Sequence, residues 1–242
     1  MKLRFLGTRG YIEARNRRHY RHSALLVSYR RRRVMIDCGE DWLGHIPKPR
    51  PHAIVLTHAH PDHAFGLQDG APCPVYATAE AWESLEGYPI PSQQRNILAP
   101  GKTRAIEGIA FIPYTVEHST RCPAVGLRIT AGRKGIFYVP DVVYLHERDK
   151  ALAGVTLYIG DGTTLDRSLV RKRGDHLIGH TPVRTQLTWC EKNGIGRAVF
   201  THCGSQIVTG DERRIKAQLR EWGRERGVDA QIAHDGMEMV LR

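Results

Sequence analysis

Three histidines and one aspartate lie within six consecutive residues, His58-Ala59-His60-Pro61-Asp62-His63. They follow an apolar run at 53–56 that reads as a short buried strand. Neutral imidazole nitrogens and carboxylate oxygens are the ligands that suit zinc, manganese or iron. A single histidine is usually a surface or core residue, but three with an aspartate at this spacing predict a metal site. Pro61 should exclude a regular helix here, so we expect the ligands on a loop.

Polar residues also follow four later apolar segments, which is the placement expected of a site built where strands end. These residues are His118, Asp141, Asp161 and His202. One such placement is common by chance. Four in order after the histidine cluster favour a single site, and the elements that carry them must therefore converge.

The elements that would position these residues are short apolar strands with helices between them. Strands are predicted at 2–6, 24–29, 33–37, 53–56, 74–77, 105–112, 124–130, 135–139, 155–160, 197–200, 229–233 and 237–241. Helices are predicted at 63–69, 78–86, 145–152, 165–172, 182–193 and 211–226, with Thr181 capping the helix at 182. This order indicates an α/β (α+β) fold with two packed sheets and helices outside.

The composition limits the class of protein further. A chain of 242 residues can form one large core, and no linker or repeat divides it, so we expect one domain over residues 1–242. There is no run of 18 apolar residues and no segment like a signal peptide, so we expect no membrane span and a cytoplasmic location. The five cysteines are widely spaced, which indicates reduced thiols.

The formal net charge is +11, and arginines concentrate in two clusters. The first contains Arg15, Arg17, Arg18 and Arg21, and the second is the run 30–33, expected at a hairpin tip. Two interpretations stay open: a solvated turn, or a positive field that attracts phosphate-bearing substrates, including nucleic acid. Aromatic residues are sparse around the second cluster, so a stacking surface for single strands is not evident.

With this ligand order the chain resembles the metallo-β-lactamase superfamily, from Leu6-Gly7-Thr8 to Asp235-Gly236-Met237-Glu238. The resemblance implies an αββα sandwich of two mixed sheets, with helices outside and a two-metal site on one edge. It places the first metal on His58, His60 and His118, the second on Asp62, His63 and His202, and a bridge between them at Asp141. Asp37 is expected to orient a ligand, and Asp161 to have a supporting or structural role.

The segment Gly179-His180-Thr181 indicates which branch of the superfamily the chain resembles. It resembles the phosphodiesterase branch, which includes ribonuclease Z and the cyclic-phosphate phosphodiesterase of carbon–phosphorus lyase pathways. In that branch the histidine serves the phosphate or the leaving group, and Thr181 is expected to contact the phosphate. The alternative is that His180 is a surface histidine before a helix. The β-lactamases proper carry a cysteine among the ligands of the second metal, which this chain lacks.

The resemblance implies a phosphoric diester hydrolase that uses two divalent ions. Zinc or manganese is expected, with iron as a further option, and a hydroxide shared by the ions would attack phosphorus. Asp62 is expected to orient the nucleophile and His180 to protonate the leaving group. The expected partner is a small, nucleotide or nucleic-acid phosphodiester and not a membrane. The oligomeric state is open, with a homodimer as one option.

Three other functions are weighed against this one. A tRNA 3′ processing endonuclease like ribonuclease Z is less favoured, because only 22 residues separate His118 from Asp141 and leave no room for the basic tRNA-gripping arm of bacterial forms. A thioester or lactone hydrolase like glyoxalase II shares the seven ligands, but the basic surface and His180 argue against it. A binding domain with a vestigial site is disfavoured by the complete ligand set.

Overall fold

Two β-sheets packed face to face form the centre of the structure, a computed structural model that describes residues 1–46 and 48–241. The strands are β1 (Lys2–Gly7), β2 (Ala24–Tyr29), β3 (Arg32–Ile36), β4 (Ala53–Val55), β5 (Val75–Ala77), β6 (Arg95–Ile97), β7 (Arg104–Ile106), β8 (Ile109–Glu117), β9 (Ala124–Ala131), β10 (Lys134–Tyr138), β11 (Tyr144–Leu145), β12 (Leu157–Asp161), β13 (Arg171–Arg173), β14 (His176–Ile178), β15 (Arg197–Thr201), β16 (Asp229–Ile232) and β17 (Glu238–Val240). The helices are α1 (Pro61–Ala64), α2 (Ala79–Ser84), α3 (Arg148–Leu152), α4 (Val183–Lys192), α5 (Ser205–Val208) and α6 (Glu212–Glu225).

Both large sheets are mixed, as the resemblance implies. The first has the order β17-β1-β2-β3-β4-β5-β6, antiparallel up to β3 and parallel from β3 onward. The second has the order β11-β8-β9-β10-β12-β15-β16, with β7 paired to β8, and is parallel from β10 to β16. A separate hairpin is formed by β13 and β14.

The core lies in three layers that alternate with the sheets. The central layer joins the inner faces of the two sheets and includes Phe5, Val27, Phe111 and Ile136. One outer layer packs α3, α4 and α6 against the second sheet, and the other packs α1 and α2 against the first. Helix, sheet, sheet and helix therefore follow in order, and the predicted αββα sandwich is confirmed.

Several local predictions were wrong. The expected loop holds His58 and His60 but not Asp62 and His63, because Pro61 is the first residue of α1, where the missing N–H leaves no intrahelical bond unmade. The expected strand over 105–112 is the hairpin β7–β8, which turns at Glu107 and Gly108 with φ values of 51° and 76°. Thr181 does not cap α4, since that helix begins at Val183 with Pro182 at the cap position.

The helix predicted at 165–172 was also wrong. The segment instead leads into β13, which pairs with β14 through the two-residue turn Gly174-Asp175. Gly174 has a φ of 60°, the left-handed conformation that two-residue hairpin turns require and that glycine adopts at no steric cost. A glycine followed by aspartate is a hairpin signal, and here it outweighs the helical spacing.

The site residues converge because parallel strands bring their carboxyl ends to one edge. Asp37 follows β3, the 57–63 segment follows β4, and Asp141 follows β10. Asp161 ends β12 and His202 follows β15. Strands β8 and β10 both run antiparallel to β9, so they run in the same direction. His118, at the end of β8, therefore reaches the same edge. Within the described residues, every helix is too short or too polar to cross a membrane.

Close approach of two backbones at this edge depends on Gly39. A Cβ atom at Gly39 would lie 2.0 Å from the carbonyl oxygen of Asp62, so only glycine lets the chain after β3 pass α1. We therefore predict that Gly39→Ala lowers the free energy of unfolding by about 1–3 kcal/mol or more, the usual cost of overpacking.

Denaturant unfolding measures this change. The matched control is Gly87→Ala, because a Cβ there meets no atom within 4 Å. The control should stay within about 0.5 kcal/mol of the parent protein. Equal stabilities of the two variants would contradict the packing described here.

Candidate metal centre

Seven predicted ligands meet in overlapping groups at the strand edge. The structure brings His58, His60 and His118 together, and it brings Asp62, His63 and His202 together, with the ligand atoms of each group within 4.8 Å of one another. Asp141 lies between the groups: its Oδ2 is 2.8 Å from Nε2 of His63, and its Oδ1 is 3.6 Å from Nε2 of His118 and 3.4 Å from Nε2 of His202.

The spacing of the inward nitrogens suits a small cation. His60 Nδ1 lies 2.9 Å from His58 Nε2 and 3.2 Å from His118 Nε2. Tetrahedral ligands about 2.0–2.1 Å from zinc are about 3.3 Å apart, close to these values. The first group therefore has the size of a divalent-metal site.

Hydrogen bonds on the outer ring nitrogens fix which nitrogen faces inward. Nδ1 of His58 donates to the Thr57 hydroxyl at 3.0 Å, and Nδ1 of His118 donates to the Gly179 carbonyl at 3.0 Å. Nδ1 of His202 donates to the Thr163 hydroxyl at 2.9 Å. When Nδ1 carries the proton, Nε2 presents its lone pair to the site, which is the tautomer that a metal needs.

Asp37, which the resemblance implies orients a ligand, lies behind His63. Its Oδ2 accepts a hydrogen bond from Nδ1 of His63 at 3.0 Å, and its Oδ1 accepts one from the Thr57 backbone N–H at 2.8 Å. The carboxylate is fully buried, and burial raises its pKa, against the opposing effect of His63. Asp37 thus fixes the ring of His63 from the side away from the site.

The electrostatics of the cavity favour a bound cation. Burial alone would raise the pKa of Asp141, but the nearby His202 and His63 hold that pKa well below its ordinary value. Burial likewise opposes the charge on His63, yet Asp62 and Asp141 raise its pKa well above the usual range. His63 Nε2 and Asp141 Oδ2 face each other at 2.8 Å without the geometry of a hydrogen bond, and both are buried. A divalent ion satisfies such atoms.

His180 forms a second polar group beside the ligands. Its Nδ1 donates to Oδ2 of Asp161 at 2.8 Å, and the Thr163 hydroxyl lies 3.2 Å from the same nitrogen. Asp161 raises the pKa of His180 although burial opposes this, and His180 in turn helps to hold the pKa of the buried Asp161 at about 2. His180 is therefore held as part of a carboxylate–imidazole pair, not as a free surface histidine.

Gln186 on α4 forms hydrogen bonds to the backbone at the end of β12. Its Oε1 accepts hydrogen bonds from the Tyr158 hydroxyl at 2.9 Å and from the Asp161 backbone N–H at 3.0 Å, and its Nε2 donates to the Asp161 carbonyl at 2.7 Å. All four of its amide hydrogen-bond contacts are internal, since Nε2 also donates to the Thr181 carbonyl at 2.9 Å. This bracing fixes the backbone that carries Asp161.

The ligands open into a cavity of about 360 Å³. His60, His118 and His202 form part of its wall, together with Asp62, Asp141 and His180, and the other side is formed by Gly10, Tyr11 and Ile12. Asp62 is buried and contacts the His202 Nε2 at 2.9 Å, so it lies at the ligand end of the cavity. The volume lies in the range usual for small-molecule sites.

The structure places one predicted residue outside the cavity. It also adds three lining residues that the sequence analysis did not single out. The Thr181 hydroxyl donates to the Val143 carbonyl at 2.6 Å and does not line the cavity, so it is not placed to make the predicted phosphate contact. Thr163 lines the cavity, and its place just after β12 was a readable signal. Tyr11 and Ile12 come from the loop after β1, where no sequence signal marks them.

The loop after β1 is fixed by a buried arginine. The Arg9 guanidinium donates to the carbonyls of Ile12 and Tyr20 and to the Asp41 carboxylate. A buried arginine is stable only when its donors are paired, so these contacts define the course of the loop. The wall of the cavity formed by Tyr11 is thereby held in place.

The arginine run at 30–33 lies at the other end of the sheet. It forms the turn between β2 and β3, whereas Asp37 at the cavity follows the opposite end of β3. Arg32 is paired with Glu107 at 3.2 Å, and the guanidinium of Arg30 lies over the ring of Tyr29. This cluster therefore does not border the site.

Comparison with known proteins agrees with this arrangement. A profile of the Beta-lactamase superfamily domain matches residues 32–203. The ribonuclease Z of Methanopyrus kandleri is 26% identical over 265 aligned positions, which cover 90% of this chain and 91% of that protein.

Two solved structures share the fold over nearly the whole chain. YhfI of Bacillus subtilis, a metallo-beta-lactamase fold protein, superposes with a TM-score of 0.72 at 17% identity and covers 98% of both chains. A diphosphatase of the PhnP family superposes with a TM-score of 0.68 at 19% identity, covering 100% of this chain and 98% of that one. The predicted resemblance is confirmed, and the chain belongs to the beta-lactamase superfamily.

Proposed function

We propose that the protein is a metal-dependent phosphodiesterase that holds two divalent ions. The first ion would be held by His58, His60 and His118, the second by Asp62, His63 and His202, with Asp141 contacting both. When bound, the two ions would lower the pKa of water toward about 7 and neutralise the phosphate oxygens. Zinc and manganese both suit these donors, and iron is a further option.

The observation that carries the proposal is the pairing of His180 with Asp161 at the cavity. Because Nδ1 of His180 is bound to the carboxylate, Nε2 is the nitrogen left for a substrate. The alkoxide of a phosphodiester leaves slowly without a proton, and an imidazolium held by a carboxylate can supply one. Asp161 orients the ring and stabilises its charged form.

The alternative functions have less use for the His180–Asp161 pair. A thiolate leaves without a proton, so a thioester hydrolase gains little from a general acid at His180. A vestigial binding domain would need neither the buried carboxylates nor the imidazole tautomers that face them. The relative named ribonuclease Z supports a phosphodiester of a nucleic acid as the substrate, and the basic surface of the chain is consistent with it.

The ligand set predicts nearly two metal ions per purified chain. His58→Ala should lower the metal content, because it removes one nitrogen from the first group, and should lower the melting temperature of the metal-loaded protein. Elemental analysis with thermal unfolding measures both. The control His45→Ala removes an exposed histidine outside the site and should change neither. A protein that binds no ion and is insensitive to His58→Ala would exclude a metal centre here.

The general-acid role predicts a dependence on the leaving group. His180→Ala should lower kcat/KM for a dinucleotide, whose leaving group is a ribose alkoxide, by about 10²–10⁴-fold. Turnover of bis(p-nitrophenyl) phosphate should fall much less, because nitrophenolate leaves without a proton. Equal losses on both substrates would assign His180 to binding instead. His45→Ala again serves as the control.

The same pair predicts a shift in the pH profile. Since Asp161 raises the pKa of His180, the protonated ring persists to higher pH, and activity on the dinucleotide should fall only above that raised pKa. Asp161→Asn removes the negative charge, lowers the pKa of His180 and should move this alkaline limb to lower pH. The limb should be missing in His180→Ala. A limb that stays in place in Asp161→Asn would belong to another group.

A further inference from the structure

A basic hairpin, formed by β13, the turn Gly174-Asp175 and β14, projects beside the candidate site. Its residues 171–176 are exposed, and three in a row are basic: Arg171, Lys172 and Arg173. In the part of the chain that the structure describes, these three cations form no ion pair with a carboxylate. Arg15 and Arg32 of the other arginine clusters are paired with Asp41 and Glu107.

Both ends of the basic hairpin are tied to the site. The Gly179 backbone N–H donates to the His118 carbonyl at 2.9 Å, and the Leu177 backbone N–H donates to Oε2 of Glu117 at 3.0 Å. The Leu169 backbone N–H donates to the His180 carbonyl at 3.3 Å. The hairpin therefore begins and ends at the chain segments that carry a metal-ligand candidate and the candidate acid.

The pairing register sets the distance of the cations from His180. Arg171 lies opposite Ile178 and Arg173 opposite His176, which are two and four residues before His180. At about 3.3 Å per residue, the three cations stand about 7–13 Å from His180 along the hairpin. Nucleotides of a strand rise about 3.4 Å each, so this span corresponds to about two to four nucleotides.

The chemistry of the exposed surface favours a nucleic-acid strand over a lipid surface. All side chains at 171–173 and at 175–176 are polar or charged, and no apolar side chain is exposed among them to enter a bilayer. Arg171 and Arg173 start from one face of β13 and Lys172 from the other, and together these unpaired cations give the exposed hairpin the positive charge that binds a phosphate backbone. The lining of the cavity does not include the side chains at 171–173, and Nη1 of Arg173 lies 3.5 Å from the Thr120 hydroxyl, so these cations stand beside the cavity and not in it.

We propose that the basic hairpin binds the phosphate backbone of a nucleic-acid strand whose scissile phosphate lies in the cavity. This inference rests on the proposed phosphodiesterase function and names the substrate class as an oligonucleotide that continues past His180. A dinucleotide is too short to reach the cations. The hairpin thus gives the chain a nucleic-acid-binding element in a segment between Asp161 and His180.

The test compares two triple variants of equal charge loss. Arg171→Gln with Lys172→Gln and Arg173→Gln removes the cations of the basic hairpin. Arg30→Gln with Arg31→Gln and Arg32→Gln removes three from the distant β2–β3 turn and is the control. Binding of a fluorescent phosphorothioate 12-mer to the metal-loaded protein is measured by anisotropy over a salt series, and KM is measured for the dinucleotide.

The hairpin variant should bind the 12-mer at least about tenfold more weakly at low salt. The slope of log Kd against log salt should fall by about 2, since each contact to a single strand contributes about 0.7. The KM for the dinucleotide and the turnover of bis(p-nitrophenyl) phosphate should stay within about twofold, which also shows that the variant is folded. The control should bind the 12-mer as the parent does.

Several results would overturn the inference. One is that the hairpin variant binds the 12-mer as the parent does. Another is that both triple variants bind the 12-mer equally weakly. A third is that the hairpin variant loses binding only to vesicles of phosphatidylglycerol. If bis(p-nitrophenyl) phosphate is hydrolysed while 12-mer binding is unchanged, only the inference fails. If no diester is hydrolysed with zinc, manganese or iron but the hairpin variant alone loses the 12-mer, the proposed function fails and the nucleic-acid-binding role stands.

Discussion

The negative charge of Asp37, Asp62 and Asp141 is buried at one strand edge, and it has to be compensated there. Taking carboxylates out of water costs several kcal/mol each unless positive charge and hydrogen bonds replace the solvent. Imidazoles supply part of this compensation, and Asp141 contacts histidines of both ligand groups. The fold brings these groups together because the parallel strands of both sheets have their carboxyl ends at the same edge.

Residues that do not reach the cavity hold the chain segments that carry the site residues. Gln186 satisfies the backbone at Asp161, and a Cβ at Gly160 would lie 2.4 Å from its Oε1, so the strand end admits only glycine beside the buried amide. Arg9 fixes the loop that closes the other side of the cavity. Residues far apart in the chain thus fix the orientation of a few side chains, as a preorganised site requires.

Much of the fold could be predicted from the sequence, because apolar strands and strand-end polar residues are local signals. The strand at 53–56 and the helix that begins after Asp211 are examples, and both lie within one or two residues of their predicted bounds. The prediction failed at Pro61, where the first helical position tolerates proline, and at 165–172, where a hairpin turn decides the structure. The roles of the seven ligands and the single domain stay predictions.

The rest of the site could not be read from the sequence for a physical reason. Tyr11 enters the cavity through tertiary packing, and no spacing marks it in the sequence. The arginine run at 30–33 is the denser cluster in the sequence, yet strand direction takes it to the far end of the sheet. Proximity to the site depends on which end of a strand a residue occupies, and composition does not contain that information.

Anomalous X-ray diffraction from crystals grown with manganese or zinc would show whether two ions bind at this strand edge. We predict two anomalous peaks about 3.5–4 Å apart, the usual separation in two-metal sites, with Asp141 between them and His58 and His202 on opposite sides. A single peak, or peaks outside the group of seven side chains, would contradict it.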